Sequence, residues 1–526
     1  MTRVLGIEGT AWCASAAVYD TEREDVFIAS DAYQPESGGI HPREAAEHMR
    51  EAIPEVIAEA MAYIRKEYDG QIDAVAFSRG PGLGPCLRIV ATAARALAGA
   101  RDVPLVGVNH MVAHLEIGRH LSGFDSPVCL NASGANAHLL GFRNGRYRVI
   151  GETMDTGVGN AIDKFTRHLD WAHPGGPKVE AAAEDGEYID LPYVVKGMDF
   201  SFSGIMSAAK QAVDEGERVE DVCFSLQENI FGMLTEVSER ALSLTDADEL
   251  VLGGGVGQNA RLREMLETMC AERGADFFAP PGRFLRDNAG MIAVLGARMY
   301  EAGDTIAIEE SQVDPDFRPD QVPVTWRANE AVGRTGETTE IRGAEALVQL
   351  GDDVEKERLP KAYRHPELDA RLRKERTASE ARLTSEARHH GVPTPTIRDV
   401  DLDESVLGFE YVGTADLREE LTEARVRDVG RHLARLHEAG LVHGDPTPRN
   451  ARVAPERTYL IDFGLGYFSK DVEDYAMDLH VFGEALAGTA DDADSLQKAF
   501  EAAYAEEGDE RVVAQLREVE GRGRYQ

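Results

Sequence analysis

The chain has 526 residues, a length that holds two to four ordinary domains. Hydrophobic residues at 43% and charged residues at 28% make a globular balance and exclude a disordered chain. The formal net charge is −37, from 56 Lys+Arg against 93 Asp+Glu. Five scattered cysteines (Cys13, Cys86, Cys129, Cys223, Cys270) form no CxxC, so neither a zinc ribbon nor a disulfide framework is expected, and a reducing intracellular compartment fits.

The opening MTRVLGIEGT reads as a strand with no apolar segment behind it, so no signal peptide is expected. No apolar run approaches the ~18–20 residues of a membrane span. A cytoplasmic protein with no membrane partner follows as the expectation. Only ten of the cations are lysines, and the acidic residues are spread evenly. An acidic protein that avoids nucleic acid is one reading. Adaptation to a salt-rich cytoplasm is the favoured one. At molar salt the Debye length is ~3 Å, so net charge does not exclude an RNA substrate.

In chain order, VLGIEG (4–9) and SAAVYD (15–20) read as strands of a hairpin-rich start. IDAVAFS (72–78) and PLVGVN (104–109) are short buried strands, each followed by a helical pattern. VCLNASG (128–134), HLLGFRNGRYRVIGE (138–152) and ELVLGGG (249–255) add further strands. Asn144-Gly145 marks a two-residue hairpin turn. These elements predict an α/β fold with a mixed sheet. Residues 4–34 and 128–152 repeat one order of strands and turns. Two such halves suggest two lobes around a cleft, the arrangement of the actin, sugar kinase and Hsp70 superfamily. Residues 312–340, rich in Pro, Gly and Thr, read as a surface crossing and a linker. They divide the chain into residues 1–328, a linker at 329–339, and a smaller part at 340–526. The smaller part has a strand-rich start, a long charged helix (367–390), the exit GVPTPTI, helices, and a strand pair around 441–463.

His110 and His114, in NHMVAH, stand at i, i+4 after a strand, with Asn109 as N-cap. On a helix this puts two imidazoles on one face at a metal-binding pitch. Two partly exposed histidines near a helix start is the plain alternative. A metalloprotease needs a glutamate directly after the first histidine, where this chain has Met111. GPGLGP (80–85) contains Pro81 and Pro85, and no GxxxxGK[ST] exists, so a Walker-type phosphate loop is excluded. GGGVGQN (253–259) and SGAN (133–136) are small-residue turns suited to a close ligand or simply to a tight turn. Asp163 reads as a first-turn helix acid, and Asp287 as a helix cap.

The ordered set LGIEGT, GGIHPREAAEH, RGPGLGPCLR, VNHMVAH, GNAIDKF, PGGPKVE, FSFSG, GGGVGQN and RDNAGMIA resembles the universal tRNA threonylcarbamoyl-transferase family. This family is TsaD in bacteria and the catalytic subunit of KEOPS in archaea and eukaryotes. The resemblance covers residues 1–327. It implies an actin-like (ASKHA) two-lobed fold with a duplicated sheet, one iron or zinc ion, and transfer of a threonylcarbamoyl group from threonylcarbamoyl-AMP. The acceptor would be the exocyclic amine of the adenosine 3′ of the anticodon, in tRNAs reading A-starting codons. By position, His110, His114 and Asp287 would be metal ligands. Asn131, Ala132, Ser133, Gly134, Ala135, Asp163, Gly176, Glu180 and Asn259 would line the adenylate site. Asn131 stands where the family has tyrosine, and Ala135 where it has glycine. Asn131 is therefore a neutral, harder donor to the metal, and metal binding is expected to survive but weaken or change preference.

In the smaller part, LVHGDPTPRN (441–450) has the spacing HxDxxxxN, and Asp462 follows in IDFGLG. The pair is close to the protein-kinase catalytic loop and its DFG signature. Such chemistry asks for Asp445 to accept a proton and for Asn450 and Asp462 to hold Mg²⁺. Lys356, on a strand, would meet the ATP phosphates with Glu380 as its ion-pair partner. The glycine-rich loop is reduced to Gly343 in RGAEALV, and no long activation segment follows DFG. With YRHPELD, this set resembles the small atypical, RIO-like kinase/ATPase subunit of KEOPS, an α+β domain using ATP and Mg. The basic tail GRGRYQ (Arg522, Arg524) fits that family, where it is associated with tRNA.

The expected protein is thus a bifunctional fusion: tRNA threonylcarbamoyl transfer coupled to an ATPase or Ser/Thr kinase. Expected partners are tRNA and the other KEOPS subunits, and the two parts of the chain are expected to touch each other. The alternative is a signalling Ser/Thr kinase carrying a nucleotide-binding scaffold.

Overall fold

The computed structural model describes residues 2–33, 41–134, 136–143, 145–327, 340–351, 353–490 and 492–522. Ala135, Asn144, the linker 329–339 and Arg524 lie outside the described residues. The chain forms two compact units. One comprises Met1–Pro192, Phe202–Phe231 and Ala247–Val332. The other comprises Tyr193–Ser201, Gly232–Asp246 and Gly333–Gln526.

The first unit is built on two five-stranded sheets of the same design. In the first, the order is Asp25–Ala32, Cys13–Asp20, Arg3–Glu8, Ala74–Gly80, Leu105–Asn109. The first three strands meander antiparallel, and the last two add parallel. In the second, Arg146–Glu152, Ala137–Arg143, Val128–Ala132, Glu249–Gly253 and Asp276–Phe278 repeat that order and those directions. The duplication and its meander-then-crossover topology make this the actin-like fold expected from the sequence. The parallel strands are apolar on both faces, as AVAFSRG and ELVLG show, because helices cover both sides.

The helix His110–Ser122 is the piece that joins the two designs. It leaves the edge strand of the first sheet and packs against Val128–Ala132 and Glu249–Gly253 of the second. Gly118 permits this approach: a Cβ there would run into the Val251 side chain. The helix Ala289–Glu301 returns onto the first sheet, with Gly6 lying directly under Ala289 and Ala293. One apolar cluster therefore runs from Val4, Ala76 and Val108 through Val112 and Leu115 to Cys129 and Val251.

Residues 312–327 are not the simple surface crossing that their composition suggests. Phe317 and Val322 are buried in that same cluster. The Phe317 carbonyl accepts from Asn109 Nδ2 at 2.8 Å. Arg327 lies over the Phe142 ring, 3.8 Å from its centroid, and pairs with buried Glu116 at 3.4 Å. Proline-rich composition records the lack of a regular element, not the lack of packing.

The second unit has a five-stranded antiparallel sheet, ordered Glu340–Arg342, Leu347–Leu350, Asp353–Glu357, Val406–Glu410, Ile397–Asp401. The charged helix Pro366–His389 packs beside it. A helical part follows, with Glu423–Glu438, Val472–Thr489, Ala493–Glu507 and Glu510–Arg522 around Leu433, Phe482, Phe500 and Tyr504. The hairpin Ala451–Ala454 and Arg457–Leu460 lies between them in sequence. The unit also takes in Gly232–Asp246, most of which is the C-terminal half of the helix Val219–Thr245.

Candidate functional site

In the first unit the structure brings His110, His114 and Asp287 together, with one ligand atom from each lying within 4.8 Å of the others. Asn109 caps the helix by accepting from Val112 N at 3.1 Å, which fixes the helical register from His110 onward. The two imidazoles then stand on one face, ring centroids 4.8 Å apart. Asp287 is not the cap of the following helix. Asn288 takes that role, accepting from Met291 N at 3.2 Å, and this leaves the Asp287 carboxylate to face the histidines. Its Oδ1 is 3.4 Å from His110 Nε2 and 3.3 Å from His114 Nε2.

A fourth group was not singled out from the sequence. Glu8, fully buried at the end of the first strand, places Oε2 3.1 Å from His110 Nδ1. Its Oε1 accepts from Thr10 N at 2.7 Å, which holds the carboxylate in place. Glu8 thus fixes which ring nitrogen of His110 faces Asp287. Burial opposes a charged His110, but Glu8 and Asp287 outweigh it and raise its pKa to about 10. Burial likewise opposes ionisation of Asp287, and His110 overcomes it, holding the carboxyl far below its usual range. His114 goes the other way: burial lowers it, so it is the neutral imidazole of the pair.

The donor set fits one metal ion. Tetrahedral donors ~2.1 Å from an ion stand ~3.4 Å apart, and Asp287 Oδ1 stands at about that spacing from each imidazole. Two histidines and a carboxylate on one side leave positions open for a substrate. Asn131 is buried on the strand Val128–Ala132, and its Oδ1 has no hydrogen-bond partner among the described residues. An unmet buried acceptor costs about 1–3 kcal/mol, a cost that a nearby cation or ligand removes. His138 pairs across the strands from Asn131, so both side chains share a face. It is fully buried, with Nε2 unpartnered among the described residues, and burial followed by His114 and His110 pushes its pKa down to about 3. It was not singled out from the sequence; cross-strand pairing with Asn131 is the signal that could have found it.

Substituting Glu8→Gln is expected to weaken metal binding about 10- to 100-fold while leaving the fold intact. Competition with a chromophoric chelator measures this.

The small-residue turns gather in the second half of this unit. Ser133 Oγ donates to Asn136 O at 2.9 Å, and Gly159 N and Asn160 N donate to the carbonyls of Ser133 and Gly134 at 3.2 and 2.9 Å. The turn after Ala132 thus sits on the start of the helix Val158–His168. Asp163 lies past the first turn of that helix, so it is not the dipole-favoured acid its motif suggests. Its Oδ1 accepts from Gly175 N at 2.7 Å, and its Oδ2 is 3.1 Å from His173 Nδ1. This anchors the start of the helix Gly176–Ala183, where Gly176 faces open space. Glu180, on that helix, accepts from Ala260 N at 2.9 Å. Asn259 caps the next helix and donates to Gln227 Oε1 at 3.1 Å. Gly254 has φ +83°, and a Cβ there would strike the Ala132 carbonyl. The structure therefore links Ala132, Ser133, Gly134, Asp163, Gly176, Glu180 and Asn259 through neighbouring backbone.

In the second unit Lys356 Nζ lies 2.8 Å from Glu380 Oε1 and 2.7 Å from Asp462 Oδ1. Asn450 Nδ2 donates to Asp445 Oδ2 at 3.0 Å. Asp445 and Asp462 differ in environment. Burial raises Asp445 to about 6, with Arg240 opposing and Asp462 adding to the rise. Burial also opposes ionisation of Asp462, but Lys356 and Arg358 hold it far below the usual range. Gly343 closes the first strand turn, its N–H donating to Ala346 O at 2.9 Å.

Residues 23–294 match the family described as tRNA N6-adenosine threonylcarbamoyltransferase (TsaD). The chain belongs to this family. Curated relatives extend the match over the whole length. A protein of Natronomonas pharaonis is 71% identical over 533 residues, with all of both chains covered. One of Halobacterium salinarum is 69% identical over 529 residues, covering 100% of this chain and 99% of that one. One of Methanosarcina mazei is 47% identical over 547 residues, covering 100% and 99%. Each is called a probable bifunctional tRNA threonylcarbamoyladenosine biosynthesis protein. Two of these sources fit the salt-adapted composition of this family member. Among its described residues, no helix is long and apolar enough to cross a membrane.

Proposed function

We propose that the chain is a cytoplasmic KEOPS enzyme with a transferase domain at 1–328 and a kinase-like ATPase domain at 340–526. The transferase moves the threonylcarbamoyl group of threonylcarbamoyl-AMP to the exocyclic amine of the adenosine 3′ of the anticodon. The observation that carries this reading is the convergence of His110, His114 and Asp287 into one set of donor atoms. These three residues would hold an iron or zinc ion, with Asn131 as a further donor. When bound, the ion supplies a Lewis acid for the carbamoyl adenylate. Ser133, Asp163, Gly176, Glu180 and Asn259 would hold the adenylate, so that the acceptor amine meets a fixed carbamoyl carbon. A new C–N bond forms there, the carbon–oxygen bond to the phosphate breaks, AMP leaves with that electron pair, and the amine's proton passes to the departing phosphate or to water.

In the kinase-like domain, Lys356 would meet the phosphates of ATP. Asn450 and Asp462 would hold Mg²⁺, and Asp445 would accept the proton of the attacking hydroxyl or water. Other KEOPS subunits and tRNA are the partners this reading requires.

Removal and return of the metal test the transferase reading. Protein stripped by a chelator is expected to lose transfer and to regain it with Fe²⁺ or Zn²⁺. In the stripped protein His110 keeps its proton up to about pH 10, and that proton must leave when a metal binds. Affinity should therefore rise about tenfold per pH unit between roughly pH 6 and 9. Full activity in stripped protein overturns the role of the metal.

A further inference from the structure

Arg240 lies on Gly232–Asp246, a segment that precedes the linker in sequence but belongs to the second compact unit. Its guanidinium is buried among three carboxylates. Nη2 is 3.0 Å from Glu236 Oε1 and 3.0 Å from Glu345 Oε1, and Nη1 is 3.7 Å from Asp445 Oδ2. Its Nε is buried without a hydrogen-bond partner among the described residues.

The cations around Asp445 are otherwise committed. Arg449, the cation of the loop itself, is turned to Asp246 at 2.6 Å. Lys356 is engaged by Glu380 and Asp462. Arg358 is spent on Glu345 at 3.0 Å and Glu380 at 2.5 Å. Asp445 itself stands close enough to Asp462 and Glu345 to be disfavoured by both. Two like charges repel most strongly in a buried site, so a counter-charge decides where this carboxylate rests. Asn450 and Arg240 both approach Oδ2 of this carboxylate.

We propose that Arg240 is a positioning residue for ATP turnover, holding the Asp445 carboxylate in the orientation that accepts a proton from the nucleophile. The step is ordinary phosphoryl transfer. The oxygen of water or of a Ser/Thr hydroxyl bonds to the γ-phosphorus, the bond from phosphorus to the bridging oxygen breaks, ADP leaves with that electron pair, and the proton passes to Asp445. The consequence is that the ATP site is complete only with a residue from the transferase part of the sequence. This rests on the reading that the second unit turns over ATP.

The test uses the full chain in molar salt with Mg-ATP, and compares wild type with Arg240→Gln and Arg240→Lys. ADP release gives kcat and KM, and thermal unfolding reports the fold. Arg240→Gln is expected to lower kcat about 10- to 100-fold, part of the ~10²–10⁴ that a placed base contributes. KM for ATP should stay within about threefold, because the interaction is not with the nucleotide. Arg240→Lys should recover part of the rate. An unchanged kcat in Arg240→Gln overturns the proposal. So does a rise in KM alone, or equal losses in both variants with a matching fall in unfolding temperature. Absence of ATP turnover in wild type removes the ATPase reading itself, and the proposal with it.

Discussion

His110→Ala is expected to abolish stoichiometric metal binding and to slow threonylcarbamoyl transfer by on the order of 10³-fold. His110 is one of three groups proposed to hold the metal, and it is the one whose second nitrogen is held by a buried carboxylate. A Lewis-acid contribution of several kcal/mol corresponds to about three decades of rate. The pair His114 and Asp287 remains, so weak residual binding is expected, not a collapse of the fold. The helix keeps its Asn109 cap, and its apolar contacts through Val112 and Leu115 are untouched. Elemental analysis of the purified variant and single-turnover transfer measure the two effects. Full metal content with an unchanged rate would show that His110 neither holds the metal nor serves the reaction.

Asp445→Asn is expected to lower ATP turnover by about 10²–10⁴-fold, the range contributed by a positioned general base. The replacement keeps the shape of the side chain and its place beside Asn450 and Arg240, but removes the carboxylate proposed to accept the proton. Metal binding at His110, His114 and Asp287 should be unaffected, since those residues belong to the other compact unit. A single round of transfer from supplied threonylcarbamoyl-AMP should also proceed. If repeated turnover then stops, the ATPase is needed to renew the cycle. Measuring ADP release and modified nucleoside in the same reaction separates these outcomes.

Much of this was legible because the residues concerned sit at fixed offsets within single elements. His110 and His114 share one helix face, and Asn109 caps it. Asp445 and Asn450 share one loop. Lys356 and Glu380 lie in neighbouring elements of one small sheet-and-helix unit, and they meet at 2.8 Å. The duplicated strand order was also visible, because each half opens with its own meander. What the sequence does not reveal is the contact made across topology. Glu8 ends a strand more than a hundred positions before His110, and only the parallel pairing of the first sheet aligns their ends. Asp163 looks like a helix-start acid, yet it anchors Gly175 because a second chain segment passes over it. Residues 312–327 look like a surface run, yet Phe317 is buried through an amide of Asn109 and the apolar cluster around it. Arg240 carries no motif at all. Its approach to Asp445 joins two residues far apart in the chain, which no local pattern encodes.

The most direct measurement is nucleoside mass spectrometry of tRNA that reads A-starting codons. The full chain would be incubated in molar salt with threonylcarbamoyl-AMP, Fe²⁺ or Zn²⁺ and the proposed partner subunits, as wild type and as His110→Ala. The expected result is threonylcarbamoyladenosine from wild type and a nearly complete loss of it from the variant. No product from folded, metal-loaded wild type would contradict the transferase function and leave a scaffold attached to a kinase.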